Sequence, residues 1–351
     1  MSGGRGLSDA IQTIGIAQTL PYPGKKSLDK QIGGAGLRVS GAELALRRTE
    51  VERDVKAAFA QVLASERLVE VSTQLVAVAE SSATTARKRV EAGAAAYQEQ
   101  LRAEVQLVQA QTEWKEFERE LGTARQVLAT ILGRLDLKEA TLSGTLAERP
   151  RAALLERQGV EFLRRHPSAI AAQRGVERAE LEYRRARLEP YPDLTVSMSG
   201  GVLGESDQSI IQLGFSLPVP LLDNGKGKKQ EAEANLREAE AELRVVQQGL
   251  EREWFNAQRR YRTAAEQVAR YREQAVPKAA EALRLVQRGF EEGKFGFIDL
   301  ADTQRTTAEV QLAYQQKLLE LNVAEAEVEA LLAPSVEAIA PVKAAQKQVK
   351  P

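Results

Sequence analysis

Residues 214–244 have the sequence GFSLPVPLLDNGKGKKQEAEANLREAEAELR. The stretch opens with alternating apolar residues, passes Pro218 and Pro220, and continues as a charged segment made mostly of Ala, Glu, Leu, Lys and Arg. Alternation is typical of a β-strand, whereas the Ala/Glu-rich composition is typical of a long helix. Residues 13–31, TIGIAQTLPYPGKKSLDKQ, repeat the same transition. The sequence therefore predicts, at two places, a strand that leads through prolines directly into a long helix.

The overall composition favours long helices over a compact globular core. Of the 351 residues, 28% are charged and only 5% are aromatic, which is typical of coiled coils. The chain has no cysteine and one histidine, so we expect no disulfide, no thiolate metal site and no cofactor. Its formal net charge of zero gives no general attraction to nucleic acid. No phosphate loop or nucleophile elbow occurs in the sequence, so we do not expect an enzyme.

Three segments alternate as β-strands do: residues 10–20, 193–203 and 209–217. Each places apolar residues on one face and mostly small or polar residues on the other. Strands of about ten residues with these two faces are typical of a membrane β-barrel. A half-buried hairpin of a soluble protein gives the same pattern, so the strands alone leave both interpretations open.

Two very long segments have helical periodicity, with apolar residues spaced three and four apart. The first runs from about Leu37 to Leu132 and the second from about Gly225 to Leu332. Each is far longer than an ordinary globular helix, so each predicts two long antiparallel helices. We expect the turns near residues 72–82 and, at Pro277, near residues 271–281.

The chain contains an internal repeat with an offset of about 200 residues. Gly93 aligns with Gly293, and Tyr97 aligns with Phe297. A glycine inside a helix is unfavourable, so two at matching positions indicate a structural requirement. The sequence therefore predicts a duplicated unit of strand, proline exit and two long helices.

These features together resemble the TolC-like outer membrane efflux protein family, and within it the heavy-metal branch of CzcC-like and CusC-like channels. The resemblance extends over roughly residues 14–332. The motifs that carry it are IAQTLPYPGK from Ile16, RVEAGAAAYQEQLRAE from Arg89, RRHPSAIAAQRGVERAELEYRRARLEPYPDLTV from Arg164, GFSLPVPLLDNGKGKKQEAEA from Gly214 and GFEEGKFGFIDLADTQRTTAEVQLAY from Gly289.

The resemblance implies a mainly α fold with a minor β part. Long antiparallel coiled-coil helices would form a periplasmic α-barrel, joined to strands of a trimeric outer-membrane β-barrel. The implied function is that of a passive exit duct of a tripartite efflux system, located in the outer membrane and extending into the periplasm. The implied oligomeric state is a homotrimer. The implied partners are a periplasmic adaptor protein, an RND-type inner-membrane pump and outer-membrane lipid. Heavy-metal cations are the first expectation for the substrate, and organic compounds are the alternative.

The implied organisation has six segments. They are an N-terminal loop and barrel strand (1–25), a first helical hairpin (26–133), a connector and helix (134–190), a barrel hairpin (191–222), a second helical hairpin (223–333) and a disordered tail (334–351).

Several residues follow from the resemblance as candidates for function. The helix tips imply a periplasmic entrance at Glu273, Gln274 and Glu281 and an adaptor-contacting tip at Thr73, Gln74, Leu75 and Pro277. For either carboxylate, a solvated position on a charged helix surface is the favoured interpretation. The strand-to-helix bends are expected at Pro21, Pro23, Pro218 and Pro220. The repeat positions Gly93, Tyr97, Gly293 and Phe297 are expected to open elements that thicken the waist of the helical barrel, and His166 is expected at the surface of a helix start.

The sequence also departs from the family pattern. Family members contribute four strands and begin with a signal sequence, whereas only three strands and no signal sequence are predicted here. We therefore expect the chain to be N-terminally incomplete. Three alternatives remain at this stage: a periplasmic adaptor, a soluble structural coiled coil and a non-functional truncated channel.

Overall fold

The computed structural model of the chain describes residues 12–136, 142–156, 159–202, 209–218 and 225–332. Within them the protein is mainly helical with a small sheet, as predicted. The strands are β1 (Gln12–Leu20), β2 (Leu194–Val202) and β3 (Ser209–Ser216). The α-helices are α1 (Lys25–Glu91), α2 (Tyr97–Ile131), α3 (Ala152–Leu155), α4 (Pro167–Ala186), α5 (Lys226–Arg270), α6 (Val276–Glu291) and α7 (Phe297–Leu331). A 3-10 helix (Glu161–Arg165) precedes α4, and a π-helical turn (Tyr271–Ala275) joins α5 to α6.

The chain divides into two compact units, and two helices contribute residues to both. The first unit comprises Met1–Leu44 and Pro167–Gln248, and the second comprises Ala45–His166 and Gly249–Pro351. Each unit is therefore built from two separate parts of the chain.

The first unit contains a three-stranded antiparallel sheet in the order β1-β2-β3. Leu20 at the end of β1 lies opposite Leu194 at the start of β2, and Thr195 lies opposite Ser216 at the end of β3. Consequently β1 leads into α1, α4 leads into β2 and β3 leads towards α5 at the same end of the strands. We call this end of the sheet the helix edge, as distinct from its two edge strands.

The predicted turn at residues 72–82 is wrong. Helix α1 is continuous from Lys25 to Glu91, and Thr73, Gln74 and Leu75 lie inside it. The physical reason is that no glycine or proline occurs between Gly41 and Gly93, so nothing in this stretch interrupts the helix. The chain reverses only after Gly93.

The predicted turn at residues 271–281 is also wrong. Pro277 lies in the first turn of α6, directly after the π-helical turn Tyr271–Ala275. A proline lacks an N–H and its ring clashes with the carbonyl four residues earlier, so a regular α-helix cannot pass through it unchanged. Here the helix widens for one turn and continues, which is a common response to such a disturbance.

The two long helices of the first repeat pack antiparallel in the second unit. Glu66 of α1 pairs with Arg125 of α2, and Arg87 of α1 pairs with Glu104 of α2. Helix α7 of the second repeat lies beside α1, where the Gln304 amide donates to Ser82 Oγ at 2.8 Å. The helices of the two repeats therefore share one core.

His166 is not at the surface. It immediately precedes α4, as predicted, but only 7% of the residue is exposed. Burial lowers the pKa of His166, although a hydrogen bond with the Ala330 backbone partly opposes that shift. The helix start was correctly located, but packing against the end of α7 could not be inferred from local sequence.

Candidate functional site

The sheet has one apolar and one small polar face, and the strand register aligns both across all three strands. Ile16 lies opposite Met198, which lies opposite Leu213. On the other face Ala17 lies opposite Ser197, which lies opposite Gly214. Large side chains of the apolar face are open to the surroundings: Ile14 is 87% exposed and Phe215 is 75% exposed. This is the arrangement of a sheet that meets lipid on one side and water on the other.

Two glycines on the small polar face have little room for a side chain beside the neighbouring strand. A Cβ on Gly15 would lie 3.0 Å from Ser199 Cβ, and a Cβ on Gly214 would lie 2.6 Å from Ser197 Oγ. Larger residues at these positions would push neighbouring side chains aside. Glycine therefore keeps the side chains small on the face that would line a water-filled lumen.

The helix edge of the sheet is held by two Pro-Tyr-Pro sequences, residues 21–23 and 190–192. The rings of Tyr22 and Tyr191 stack with centroids 4.6 Å apart. Lys25 is 4% exposed, and its Nζ donates to Asp193 Oδ1 and to the Tyr191 carbonyl, each at 2.8 Å. These contacts fix the bends after Pro21 and Pro23. Pro218 lies two residues after the end of β3, whereas Pro220 lies outside the described residues.

The two turns of the second unit are copies of one motif. Gly93 and Gly293 have φ values of +72° and +73°. The Ala94 N–H donates to the Arg89 carbonyl at 2.8 Å, and the Lys294 N–H donates to the Gly289 carbonyl at 2.7 Å. A left-handed glycine with this backbone bond is the Schellman motif that ends helices. The elements at Gly93 and Gly293 are therefore the hairpin turns and not thickenings of a waist.

The two turns share a small hydrophobic core. The aromatic residues at their matching positions differ in solvent exposure. The core contains Ala83, Ala86, Ala103, Phe290, Phe297 and Leu300. The guanidinium of Arg89 lies 4.5 Å from the ring centroid of Phe290, so it links the first turn to the second by a cation–π contact. Phe297 is 2% exposed, whereas Tyr97 at the matching position is 61% exposed.

The predicted entrance residues lie on helix surfaces, and the two carboxylates among them are paired with arginines. Glu273 belongs to the π-helical turn and contacts Arg272 at 2.8 Å. Glu281 belongs to α6 and contacts Arg284 at 2.6 Å, and this hydrogen bond lowers the pKa of the Glu281 carboxyl. Gln274 is exposed on the same π-helical turn. The structure thus does not bring these residues to a hairpin turn.

Sequence reasoning missed a buried polar network around Tyr261. The residue is fully buried; its hydroxyl accepts from the Arg151 N–H at 2.8 Å and donates to Glu325 Oε2 at 3.0 Å. Burial raises the pKa of Tyr261 to about 12. Asn322 makes two further bonds, to the backbone N–H and carbonyl of Ala147. The network attaches the connector to α5 and α7, and no local motif indicates it.

The described residues contain no candidate metal site and no candidate membrane-spanning helix. No group of three or more His, Cys, Asp or Glu side chains in those segments is arranged to hold a metal ion. None of the helices in the described part of the chain contains an apolar stretch long enough to cross a bilayer.

The family model of the outer membrane efflux protein matches residues 13–134 and 160–333. The chain belongs to the outer membrane efflux protein family. Members of this family are channels of the outer membrane. The predicted family, fold class and general function are therefore confirmed. The alternatives of a periplasmic adaptor and a soluble coiled coil are not supported. Family members are trimers that work with an adaptor and an inner-membrane pump.

Sequence and structure relatives agree with this assignment. The outer membrane efflux protein is 27% identical over 299 residues to the cobalt-zinc-cadmium resistance protein CzcC of Cupriavidus metallidurans, covering 83% of this chain and 69% of CzcC. VceC of Vibrio cholerae has a TM-score of 0.78 at 18% identity, over 92% of this chain and 80% of VceC. The open state of MtrE of Neisseria gonorrhoeae also has a TM-score of 0.78 at 18% identity, over 92% of this chain and 79% of MtrE. The structural matches establish the fold.

Proposed function

We propose that this outer membrane efflux protein is the exit duct for heavy-metal cations in a tripartite system with a periplasmic adaptor and an RND-type pump. The observation that carries the substrate class is the similarity to a cobalt-zinc-cadmium resistance protein over 83% of the chain. In this proposal the pump drives the flow and selects the ion, and the present chain provides the conduit. Organic compounds are the alternative cargo.

The proposed assembly is a homotrimer. Among the described strands, β1 and β3 are the edges of the sheet, and unpaired edges are unfavourable in lipid. In the proposed trimer these two edges pair with further strands of the barrel, which satisfies their backbone groups. The exposed apolar face then meets lipid, and the glycine- and serine-lined face meets water.

We further propose that the adaptor docks at the hairpin turns, residues 92–96 and 292–296. The predicted adaptor-contacting tip at residues 73–75 and Pro277 lies inside helices. We therefore assign adaptor contact to the hairpin turns instead. Large apolar side chains are exposed at and beside the turns: Tyr97 by 61%, Phe295 by 44% and Ile298 by 65%. Exposed apolar groups of this size commonly mark a protein interface.

Glu273, Gln274 and Glu281 lie away from the hairpin turns, so we propose them as part of the cation path and not as its entrance. Their side chains are exposed, which keeps them accessible to a passing ion. Because Arg272 and Arg284 offset the two carboxylates, we expect Glu273→Gln and Glu281→Gln to change metal efflux by less than about twofold.

The substrate class is tested by deleting the gene in its source cell and measuring cell-associated cobalt, zinc and cadmium by mass spectrometry. We expect all three metals to accumulate and the intact gene to reverse the effect. A parallel measurement follows an organic dye. Accumulation of dye without metal would assign the channel to organic compounds, and no accumulation of either would contradict the exit-duct role.

The docking site is tested by cross-linking, because the chain has no cysteine of its own. Ala94→Cys places a thiol in the first hairpin turn, and Thr73→Cys places one at a position inside α1 that is also exposed. A thiol–amine cross-linker should join the adaptor to the Ala94→Cys variant. Joining only the Thr73→Cys variant would reject the turns as the docking site.

A further inference from the structure

The helix edge of the sheet is surrounded by cationic side chains. They come from the beginning of α1, the end of α4 and the beginning of α5, and all belong to the first unit. Several of these side chains are exposed, and we call four exposed ones, Lys26, Lys30, Arg187 and Lys229, the basic collar.

The carboxylates near the helix edge pair with other cations. Asp193 contacts Lys25 at 2.8 Å. Arg185 bridges Asp29 and Glu189, and Lys228 also contacts Glu189. Within the described residues, no carboxylate lies within 4.0 Å of any member of the basic collar. The positive charge of the collar is therefore not offset by a direct ion pair there.

The basic collar continues the apolar face of the sheet in the order that a membrane boundary requires. The apolar face ends at Leu20 and Leu194, which are 49% and 36% exposed. Tyr22 and Tyr191 lie two and three residues beyond these leucines, and tyrosines are enriched where hydrocarbon meets headgroups. Lys26 and Lys30 lie one and five residues into α1, so they are about 6 Å apart along the helix axis. The headgroup layer of one leaflet is about 5–8 Å thick, so the collar falls at its depth.

We propose that the basic collar binds the phosphate groups of anionic phospholipids in the leaflet that adjoins the helices. The recognised chemistry is a lipid phosphodiester, with phosphatidylglycerol as the probe. The inference rests on the proposed placement of the sheet in the outer membrane. Binding would fix the depth of the sheet, because the charged headgroups hold the collar while the apolar face stays in hydrocarbon.

The test compares the intact protein with two variants of equal charge change. The collar variant carries Lys26→Gln, Lys30→Gln, Arg187→Gln and Lys229→Gln. The control variant carries Arg102→Gln, Lys115→Gln, Arg119→Gln and Lys278→Gln, which are exposed positions in the second unit. Each protein is reconstituted into vesicles of phosphatidylcholine alone or mixed with phosphatidylglycerol, and the retained lipids are counted by native mass spectrometry.

We expect the wild type and the control variant to retain phosphatidylglycerol over phosphatidylcholine, and the collar variant to lose about tenfold of this preference. High salt should weaken the preference, because exposed charges are screened. An unchanged preference in the collar variant would overturn the inference while leaving the channel function intact. Failure to insert into either kind of vesicle would contradict the membrane placement itself. Equal competition by inorganic phosphate would mean that the collar binds a free anion and not a lipid.

Discussion

Gly93 and Gly293 end α1 and α6 in the same left-handed backbone conformation, with φ values of +72° and +73°. No heavy atom lies within 4 Å of a Cβ placed on either glycine. Only backbone conformation therefore requires glycine at these turns, which makes the pair a clean test of the hairpin geometry.

We expect Gly293→Ala to lower the free energy of unfolding by about 1–2 kcal/mol, since residues with a Cβ rarely adopt positive φ. Gly122→Ala is the matched control because Gly122 lies inside α2 with open space around it. That control should be stabilising by about 1 kcal/mol. Thermal unfolding followed by circular dichroism measures both. Shifts in the same direction would contradict the left-handed turn.

The second turn has a further requirement at Gly289. A Cβ there would lie 2.1 Å from a ring atom of Phe295. We expect Gly289→Ala to expel the ring and to cost about 1–2 kcal/mol, similar to Phe295→Ala. The double variant should cost little more than either single one, because both remove the same contact. Additive losses would show that Gly289 and Phe295 act independently.

The ion pair between buried Lys25 and partly exposed Asp193 should respond unequally to substitution of its two members. Asp193→Asn leaves the Lys25 ammonium buried without its carboxylate, whereas Lys25→Met removes the buried charge. We expect Asp193→Asn to lower the melting temperature by a few degrees more than Lys25→Met does. Equal losses from the two variants would argue against a buried charge at this bend.

The same pair predicts a pH dependence. The hydrogen bond from Lys25 lowers the pKa of the Asp193 carboxyl in the folded protein. Its stabilising effect is therefore present above the unfolded value of about 3.9 and is lost as the pH falls through the lower folded value. The decline in stability below about pH 4 should be shallower in Asp193→Asn than in the wild type.

Tyr261 should respond at the other end of the pH scale. Its folded pKa of about 12 lies above the unfolded value of about 10. The contribution is complete below about pH 10 and is lost as the pH rises towards 12. Tyr261→Phe should remove this alkaline loss and, because Glu325 and the Arg151 N–H lose a partner, cost about 1–3 kcal/mol at neutral pH. A stability equal to that of the wild type would show that water replaces the hydroxyl.

Local patterns were sufficient for several features of this channel. The alternation around Ile14 and Ile16 predicted β1, and the match of Gly93 with Gly293 revealed the repeat. The family motifs also indicated the membrane channel. The predicted positions of the hairpin turns are wrong, because Gly93 and Gly293 lie within stretches of helical periodicity. Periodicity alone favours interpreting such a glycine as a local break inside a helix. The backbone bonds at Gly93 show that it ends the helix.

The sequence by itself determined the elements, since strand alternation, helix periodicity and the need for glycine at positive φ depend on residues close along the chain. Only the tertiary structure decided which distant residues meet. The stacking of Tyr22 on Tyr191 requires the pairing of β1 with β2. The bonds of Tyr261 to Glu325 and Arg151 join residues 64 and 110 positions away. Such contacts depend on how whole elements pack, and no short stretch of sequence contains that information.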